Sequence, residues 1–363
     1  MILLFTLLPL AALLFCLYQT WIILPFNRKG KTGVLVAMVL CMVLFYVAMT
    51  NAIDSWPMWM ATAAYKVGTA AFFVLLYLCI AFILIALLRL THALPKRFTN
   101  HSVKGTAVLA VILIVVFAGG NWNYHIKRRR PIKVEAIKRL SRPLTIVMLA
   151  DMHLGYGIQR SELAKWVDII NAEHPDLILI AGDIIDKSVR PLDDEDMAAE
   201  FHRLNAPVYA CLGNHEYYAD KGYSMGWYAK AGIHLLIDKG ISVDGINIIG
   251  RDDRSNGGRA AVKDLMNTVD KNKFTILLDH QPYNLDDAAN AGVDFQLSGH
   301  THDGQVWPIN WIEHGMYEDA HGPLQKHHTC YYVTSGMGIW GGKFRIGTSS
   351  EYLVVKLLPH DEH

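Results

Sequence analysis

The chain has 363 residues, and its formal net charge of +1 at pH 7 argues against nucleic acid as a partner, because proteins that bind nucleic acid normally carry a strongly basic face. Only 18% of its residues are charged, compared with about 25% in a typical soluble domain, and the deficit lies in residues 1–123. We therefore expect a transmembrane domain over residues 1–123, a basic juxtamembrane linker over 124–142 and a water-soluble domain over 143–360.

The first part of the chain predicts membrane-spanning helices. A spanning helix needs about 20 mostly apolar residues, and four windows meet this condition: 2–24, 34–53, 67–88 and 105–122. The first window lacks the basic start of a signal peptide, and its apolar run is too long for one, so we interpret it as a retained helix. The sequence thus predicts an all-α bundle of four transmembrane helices in a multi-pass integral membrane protein that contacts membrane lipids.

Basic residues in the predicted loops indicate on which side of the membrane the loops and the soluble domain lie. They concentrate in the first and third loops, which favours the cytoplasm for those loops and the outside for both termini and the soluble domain. The basic run over 127–130 favours the opposite side, because such runs usually stay cytoplasmic or bind anionic headgroups. We expect the soluble domain outside, with the cytoplasmic placement as the alternative.

Strands and helices alternate in the second half. Apolar runs predict buried strands at 144–150, Leu177–Ala181 and 208–212, with helices over 161–173 and 193–204 between them. Asp244-Gly245 predicts the turn of a hairpin. Further strands are predicted at 274–278, Phe295–Ser298, 331–334 and 352–358. This pattern is typical of an α/β domain.

Potential metal ligands follow five of these strands. In open α/β sheets, ligands bind beyond the carboxyl ends of the strands, so the five groups are expected to converge. Each group alone is explained by chance or by an ordinary turn, but the ordered set is hard to explain in that way. The groups are Asp151 with His153, Gly182-Asp183 with Asp186, Gly213-Asn214-His215-Glu216, Asp279-His280, and Gly299-His300-Thr301-His302.

This set resembles the calcineurin-like metallophosphoesterase superfamily, in particular its membrane-anchored branch with N-terminal transmembrane helices. The resemblance covers residues 151–302 and implies a two-sheet β-sandwich core flanked by helices. Membrane-anchored members often carry Gly-His-Thr-His-Gly-Gly-Gln. Here Asp303 replaces the glycine after the second histidine.

The resemblance also implies two divalent metal ions and a ligand set for each. Oxygen and imidazole donors without a thiolate suit Mn, Fe, Ni or Zn. A metal-bound hydroxide is then expected to attack the phosphorus of a phosphate ester. Asp151, His153, Asp183 and His302 would hold one ion, and Asp183, Asn214, His280 and His300 the other, with Asp183 bridging.

Three residues are expected to act beside the metals. The resemblance implies that His215 contacts the phosphate and the leaving group as a general acid. Asp186 is predicted to hold a histidine in the catalytic tautomer, or else to cap a turn. Arg251 is predicted to bind the substrate phosphate, with an exposed salt-bridged turn as the alternative. The histidines between 314 and 328 are expected in a solvated loop or lid, in preference to a second metal site.

The sequence therefore predicts a metal-dependent phosphoric ester hydrolase with a lipidic or amphiphilic substrate. One alternative is a pyrophosphatase of the UDP-2,3-diacylglucosamine type in lipid A synthesis, which would require a cytoplasmic active site. A non-catalytic membrane scaffold or sensor is the other. Complete ligand sets favour the enzyme, and a soluble phosphate substrate stays open.

Overall fold

A computed structural model describes residues 8–136, 138, 140–219 and 221–359. The chain divides into two compact units. The first comprises Met1–Asn121 with Gly341–Lys343, and the second comprises Trp122–Trp340 with Phe344–His363.

The first unit is helical. Its helices are α1 (Leu8–Ile23), α2 (Arg28–Met49), α3 (Met58–Leu90), α4 (Lys96–Thr99) and α5 (Val103–His125, whose last turn belongs to the second unit), with a 3-10 helix at Asn51–Ser55. Within the described residues, α2, α3 and α5 are long and apolar enough to cross a membrane, whereas α1 is a shorter apolar helix. The structure thus gives three candidate spans for the four that were predicted, and residues 2–7 of the first predicted window lie outside the described part.

The second unit contains two six-stranded mixed sheets. The first has the order β1-β12-β2-β3-β4-β5, and the second has the order β10-β11-β9-β8-β7-β6. The strands are β1 (Lys127–Ala136), β2 (Leu144–Leu149), β3 (Leu177–Ala181), β4 (Val208–Cys211), β5 (His234–Leu235), β6 (Lys239–Val243), β7 (Ile246–Gly250), β8 (Thr275–Leu278), β9 (Phe295–Ser298), β10 (Gly322–Lys326), β11 (Thr329–Val333) and β12 (Ser350–Pro359).

Apolar side chains on both faces of the central strands explain the layered architecture. One face of the first sheet, with Ile146 and Met148, packs against the second sheet through residues such as Ile276 and Leu297. The other face packs against helices. These helices are α6 (Arg160–Asn171), α7 (Arg190–Asp194), α8 (Ala198–Phe201), α9 (Asn214–Tyr218) and α10 (Lys221–Lys230). The unit also contains α11 (Val262–Met266), α12 (Asp286–Ala291), α13 (Ile309–Met316) and a 3-10 helix at His302–Gly304. The predicted α/β class is confirmed.

Two predicted segments differ from the structure. The helix expected over 193–204 is broken into α7 and α8, because Asp196 between them adopts a left-handed φ of 49°. The expected linker over 124–142 contains β1, which pairs in parallel with β12 along its whole length.

The basic run at the start of β1 forms contacts inside the second unit. Lys127 Nζ lies 3.6 Å from the ring centroid of Tyr124. Arg129 pairs with Glu173 at 2.9 Å, and Arg130 pairs with Glu351 at 2.8 Å. The run is therefore part of a strand and not of an irregular linker, and most of its charges contact carboxylates and an aromatic ring of the same unit.

Candidate metal centre

The ends of five strands position the predicted ligands. Asp151 and His153 follow β2, Asp183 follows β3 and Asn214 follows β4 in the first sheet. His280 follows β8, and His300 and His302 follow β9 in the second. Because β2, β3 and β4 are parallel, as are β8 and β9, each sheet presents its ligands at one edge.

The first ligand group centres on Asp183. One ligand atom each from Asp183, His280 and His300 lie within 4.8 Å of one another. His280 Nε2 is 3.1 Å from Asp183 Oδ2, while His280 Nδ1 lies 2.7 Å from the carbonyl oxygen of Ala181. If Nδ1 donates its hydrogen to that carbonyl, the lone pair of Nε2 points into the group, as a metal ligand requires.

The second ligand group contains Asp151, His153 and His302, again within 4.8 Å. The Nε2 atoms of the two histidines face each other at 3.0 Å, and Asp151 Oδ1 lies 3.7 Å from His302 Nε2. The buried Oδ1 of Asn214 has no hydrogen-bond partner among the described residues. Opposed ring nitrogens, buried carboxylates and an unpartnered amide oxygen all fit divalent cations.

Asp183 also reaches the second group, since its Oδ2 lies 3.7 Å from His153 Nε2. The structure therefore brings a histidine of each predicted ligand set to one carboxylate oxygen.

Two of the predicted imidazole ligands, His300 and His302, are held in the neutral form, whereas the carboxylate of Asp183 outweighs burial and raises the pKa of His280. Burial, reinforced by His280, lowers the pKa of His300 to about 4. Burial and the neighbouring His153 likewise hold the pKa of His302 well below its usual range. Because metal binding requires a deprotonated imidazole, both residues can bind without first losing a proton at neutral pH.

The backbone at these ligands is strained. Asp151, His153, Asp183, His300 and His302 all have a positive φ, between 47° and 72°. Residues other than glycine rarely adopt this conformation, and where it occurs it clusters at functional sites. Hydrogen bonds hold it in place here; for example, the His153 amide donates to the Asp183 carbonyl at 3.0 Å.

Two glycines of the motifs are required by close approach. A Cβ at Gly213 would lie 2.1 Å from Asp183 Oδ1, and a Cβ at Gly299 would lie 2.3 Å from Asp151 Oδ2. These contacts explain why a glycine precedes both Asn214 and His300.

Asp186 contacts both a predicted ligand and the predicted general acid. Its Oδ1 lies 3.3 Å from His153 Nδ1 and 3.3 Å from His215 Nδ1, and its carbonyl oxygen lies 2.6 Å from His215 Nδ1. Burial lowers the pKa of His215, but the carboxylates of Asp183 and Asp186 outweigh burial and raise it to about 9. These two carboxylates therefore favour the protonated form of His215.

Arg251 pairs with the carboxylate of Asp279, the residue that precedes the predicted ligand His280. Its guanidinium is buried, and it donates from Nη1 to Asp279 Oδ2 at 3.0 Å and from Nε to the Ala260 carbonyl at 3.0 Å. The ion pair agrees with the salt bridge of the alternative interpretation. The sequence suggested that this salt bridge lies in an exposed turn, whereas both partners are buried. Arg251 together with Arg259 pairs with the buried carboxylate of Asp279, and the contact of Arg251 with substrate phosphate stays a prediction.

The histidines between 314 and 328 lie in or near ordered elements. His314, in α13, has Nε2 3.1 Å from Asp303 Oδ1. His321 Nε2 lies 2.9 Å from Glu351 Oε1. Asp303 itself has a φ of 52°, a conformation that glycine adopts readily, so its backbone keeps the shape expected of the glycine it replaces.

Sequence reasoning gave no role to two buried residues that organise the site. Glu216 accepts hydrogen bonds from the amides of Asp183 (3.1 Å), Gly213 (2.7 Å) and Ile185 (3.0 Å), so it joins two ligand-bearing loops. Arg345 donates to the carbonyls of His302 and Gly338. Glu216 could have been suspected from its place in the motif, whereas nothing in the sequence around Arg345 indicates a role.

Comparison with known proteins agrees with this geometry. The family described as calcineurin-like phosphoesterase matches residues 144–304. An uncharacterized metallophosphoesterase of Campylobacter jejuni is 32% identical over 272 residues, covering 69% of this chain and 68% of the relative. The chain belongs to the calcineurin-like metallophosphoesterase family. An uncharacterized metallophosphoesterase of Helicobacter pylori is 30% identical, but there the chain spans only 63% of the relative's length.

One relative resembles the helical part as well. A transmembrane protein with metallophosphoesterase domain from Danio rerio is 29% identical over 338 residues, covering 84% of this metallophosphoesterase and 75% of the relative. The second unit alone, from Trp122 onward, is too short to account for that share. The similarity therefore extends into the apolar helices.

Proposed function

We propose that this metallophosphoesterase uses two divalent ions to hydrolyse a phosphate ester at a membrane. The observation that supports two ions most directly is the position of Asp183 Oδ2, which lies 3.1 Å from a nitrogen of one ligand group and 3.7 Å from a nitrogen of the other. A carboxylate shared in this way is suited to bridging two cations.

The ligand sets follow from the two groups. Asp151, His153, Asp183 and His302 would hold one ion, and Asp183, Asn214, His280 and His300 the other. When bound, the ions would supply Lewis-acid polarisation of the phosphoryl group and an activated water molecule.

The protein's own contribution to bond cleavage would come from His215. As a cation, it can donate a proton to the departing oxygen, an effect that is typically about 10²–10⁴-fold in rate. The carboxylate of Asp186 would stabilise the protonated form and orient the His215 ring, and it would also position His153, whose Nδ1 lies 3.3 Å from Asp186 Oδ1. Asp186 would thus link the acid to a metal ligand.

The connection between α5 and β1 supports a substrate presented at the bilayer. α5 ends at His125, and β1 begins at Lys127. Lys127 pairs with Ser350 at the start of β12, and β12 runs antiparallel to β2, with Leu353 opposite Met148. The chain therefore enters the first sheet at the edge that carries Asp151 and Asp183. We propose an amphiphilic phosphate as substrate, with the catalytic unit on the outer side of the membrane.

The test compares kcat/KM for a lipid phosphate in mixed micelles with that for its water-soluble headgroup analogue, using the full-length protein loaded with Mn²⁺. We expect the lipid to be preferred, and Asp183→Asn to abolish both activities. Equal values for the two substrates would contradict the amphiphilic substrate but leave the hydrolase intact. Reporter fusions after His363 test the side of the membrane.

A further inference from the structure

The helix α13 has its apolar face exposed and its polar face directed at the protein. Trp311, Ile312 and Met316 are 66%, 59% and 64% exposed, and Trp307 just before the helix is 38% exposed. On the other side, Glu313 is partly buried, and the half-exposed His314 has its Nε2 3.1 Å from Asp303 Oδ1. A surface helix of a water-soluble domain normally has the reverse arrangement, so this face is suited to an apolar environment.

The same helix is tied to both predicted metal-ligand histidines of the last motif. A Cβ at Gly304, two residues after His302, would lie 2.2 Å from the amide nitrogen of Asn310, so the ligand turn packs tightly against the first turn of α13. Tyr317, which follows the helix, lies with its ring 6.3 Å from that of His300.

The chain just before α13 is also connected to the last turn of α5, through the residues between Ile346 and Thr348. Asn123 Nδ2 donates to the Thr348 carbonyl at 2.7 Å. Two residues earlier, the Ile346 carbonyl accepts from the Trp307 amide at 2.7 Å. One short segment of chain therefore joins the end of a candidate membrane span to the beginning of α13.

From these contacts we infer that the face formed by Trp307, Trp311, Ile312 and Met316 inserts into the headgroup region of the lipid bilayer. A bilayer crossed by the candidate spans is an apolar partner available to this face. Asn123, near the end of one candidate span, is connected to the start of α13 through the residues between Ile346 and Thr348. Tryptophan favours the membrane interface, and a helix with one apolar face lies in the plane of that interface. The insertion would fix the loop of His300 and His302 at the lipid surface.

Photo-crosslinking to lipid tests this docking without requiring turnover, so its outcome is independent of the proposed function. Full-length protein with Ile312→p-benzoylphenylalanine is reconstituted in nanodiscs of phosphatidylcholine and phosphatidylglycerol and irradiated. The matched control is Lys271→p-benzoylphenylalanine, because Lys271 is exposed in the loop that precedes β8, at the strand end opposite His280. Mass spectrometry should find lipid adducts at 312 at least tenfold above those at 271.

Equal adduct yields at the two positions, or adducts at 312 with a second copy of the chain, would overturn the inference. A second measurement does not depend on the unnatural residue. In nanodiscs with brominated acyl chains, the wild-type protein should lose more tryptophan fluorescence than Trp311→Phe. Identical quenching of the two proteins would also refute the docking.

Discussion

Glu216→Gln tests how the two ligand-bearing loops are held together. The Glu216 carboxylate accepts from Asp183 N and Gly213 N on Oε2, and from Ile185 N and the Tyr228 hydroxyl on Oε1. In the best placement of glutamine, its NH2 group replaces Oε1. The hydroxyl can then turn to accept a hydrogen bond, but the Ile185 amide loses its acceptor.

The expected decrease in the free energy of unfolding follows from the hydrogen bond that the Ile185 amide loses. A hydrogen bond to a charged group contributes about 1.5–3 kcal/mol, so we expect a loss of at least about 2 kcal/mol once the weaker neutral bonds are included. For a unit of this size, each 1 kcal/mol lowers the melting temperature by about 2–4 °C, giving a decrease of roughly 4–8 °C. If the loss falls on loops that metal binding must order, the affinity for Mn²⁺ decreases by roughly 30-fold.

Thermal unfolding and calorimetric titration of the metal-free protein with Mn²⁺ measure the two effects. Tyr228→Phe is the matched control, because it removes only the hydroxyl bond at 2.9 Å and leaves the three backbone donors in place. It should cost about 1 kcal/mol and leave metal affinity nearly unchanged. Wild-type melting temperature and wild-type affinity in Glu216→Gln would refute the reasoning.

Three further predictions concern individual side chains. His215→Ala should keep its bound metal and lose about 10²–10⁴-fold in kcat; elemental analysis and kinetics check this, and a wild-type rate would exclude the acid role. Asp186→Asn removes a charge that raises the pKa of His215, so the alkaline limb of the kcat/KM profile should move to lower pH; an unchanged limb would contradict this. Burial raises the pKa of Glu351, but its bonds to His321 and Arg130 outweigh burial and lower it to about 2. Its stabilising contribution is therefore present above about pH 4.5 and lost as the pH falls towards 2, and unfolding measured over that range should be less acid-sensitive in Glu351→Gln than in wild type.

Much of the second unit was predictable because its information is local. The strands Leu177–Ala181 and Phe295–Ser298 were predicted with the bounds that the structure gives them. The first is an unbroken apolar run, which is typical of a strand buried on both faces, and the second alternates apolar and polar residues with the period of a strand. The ligand motifs follow such strands directly, so their common location at the strand ends could be inferred without knowing how the two sheets pack.

The elements that sequence reasoning missed depend on distant partners. β1 contains three consecutive arginines and a proline, and it forms a strand because β12, more than 200 residues later, pairs with it. The burial of Arg251 was not foreseeable either, because its partner Asp279 is brought to it by the pairing of β7 with β8. The exposed apolar face of α13 becomes evident only when the burial of its neighbours is known.

The most direct test of the central claim is the metal content of Asp183→Asn beside the wild type. Both full-length proteins are loaded with Mn²⁺, dialysed and analysed for bound metal and for hydrolysis of a phosphate ester. A carboxylate that bridges two ligand groups predicts two ions per chain in the wild type, with fewer than two and no turnover in the variant. Full metal content and normal activity in Asp183→Asn would contradict the shared two-metal centre.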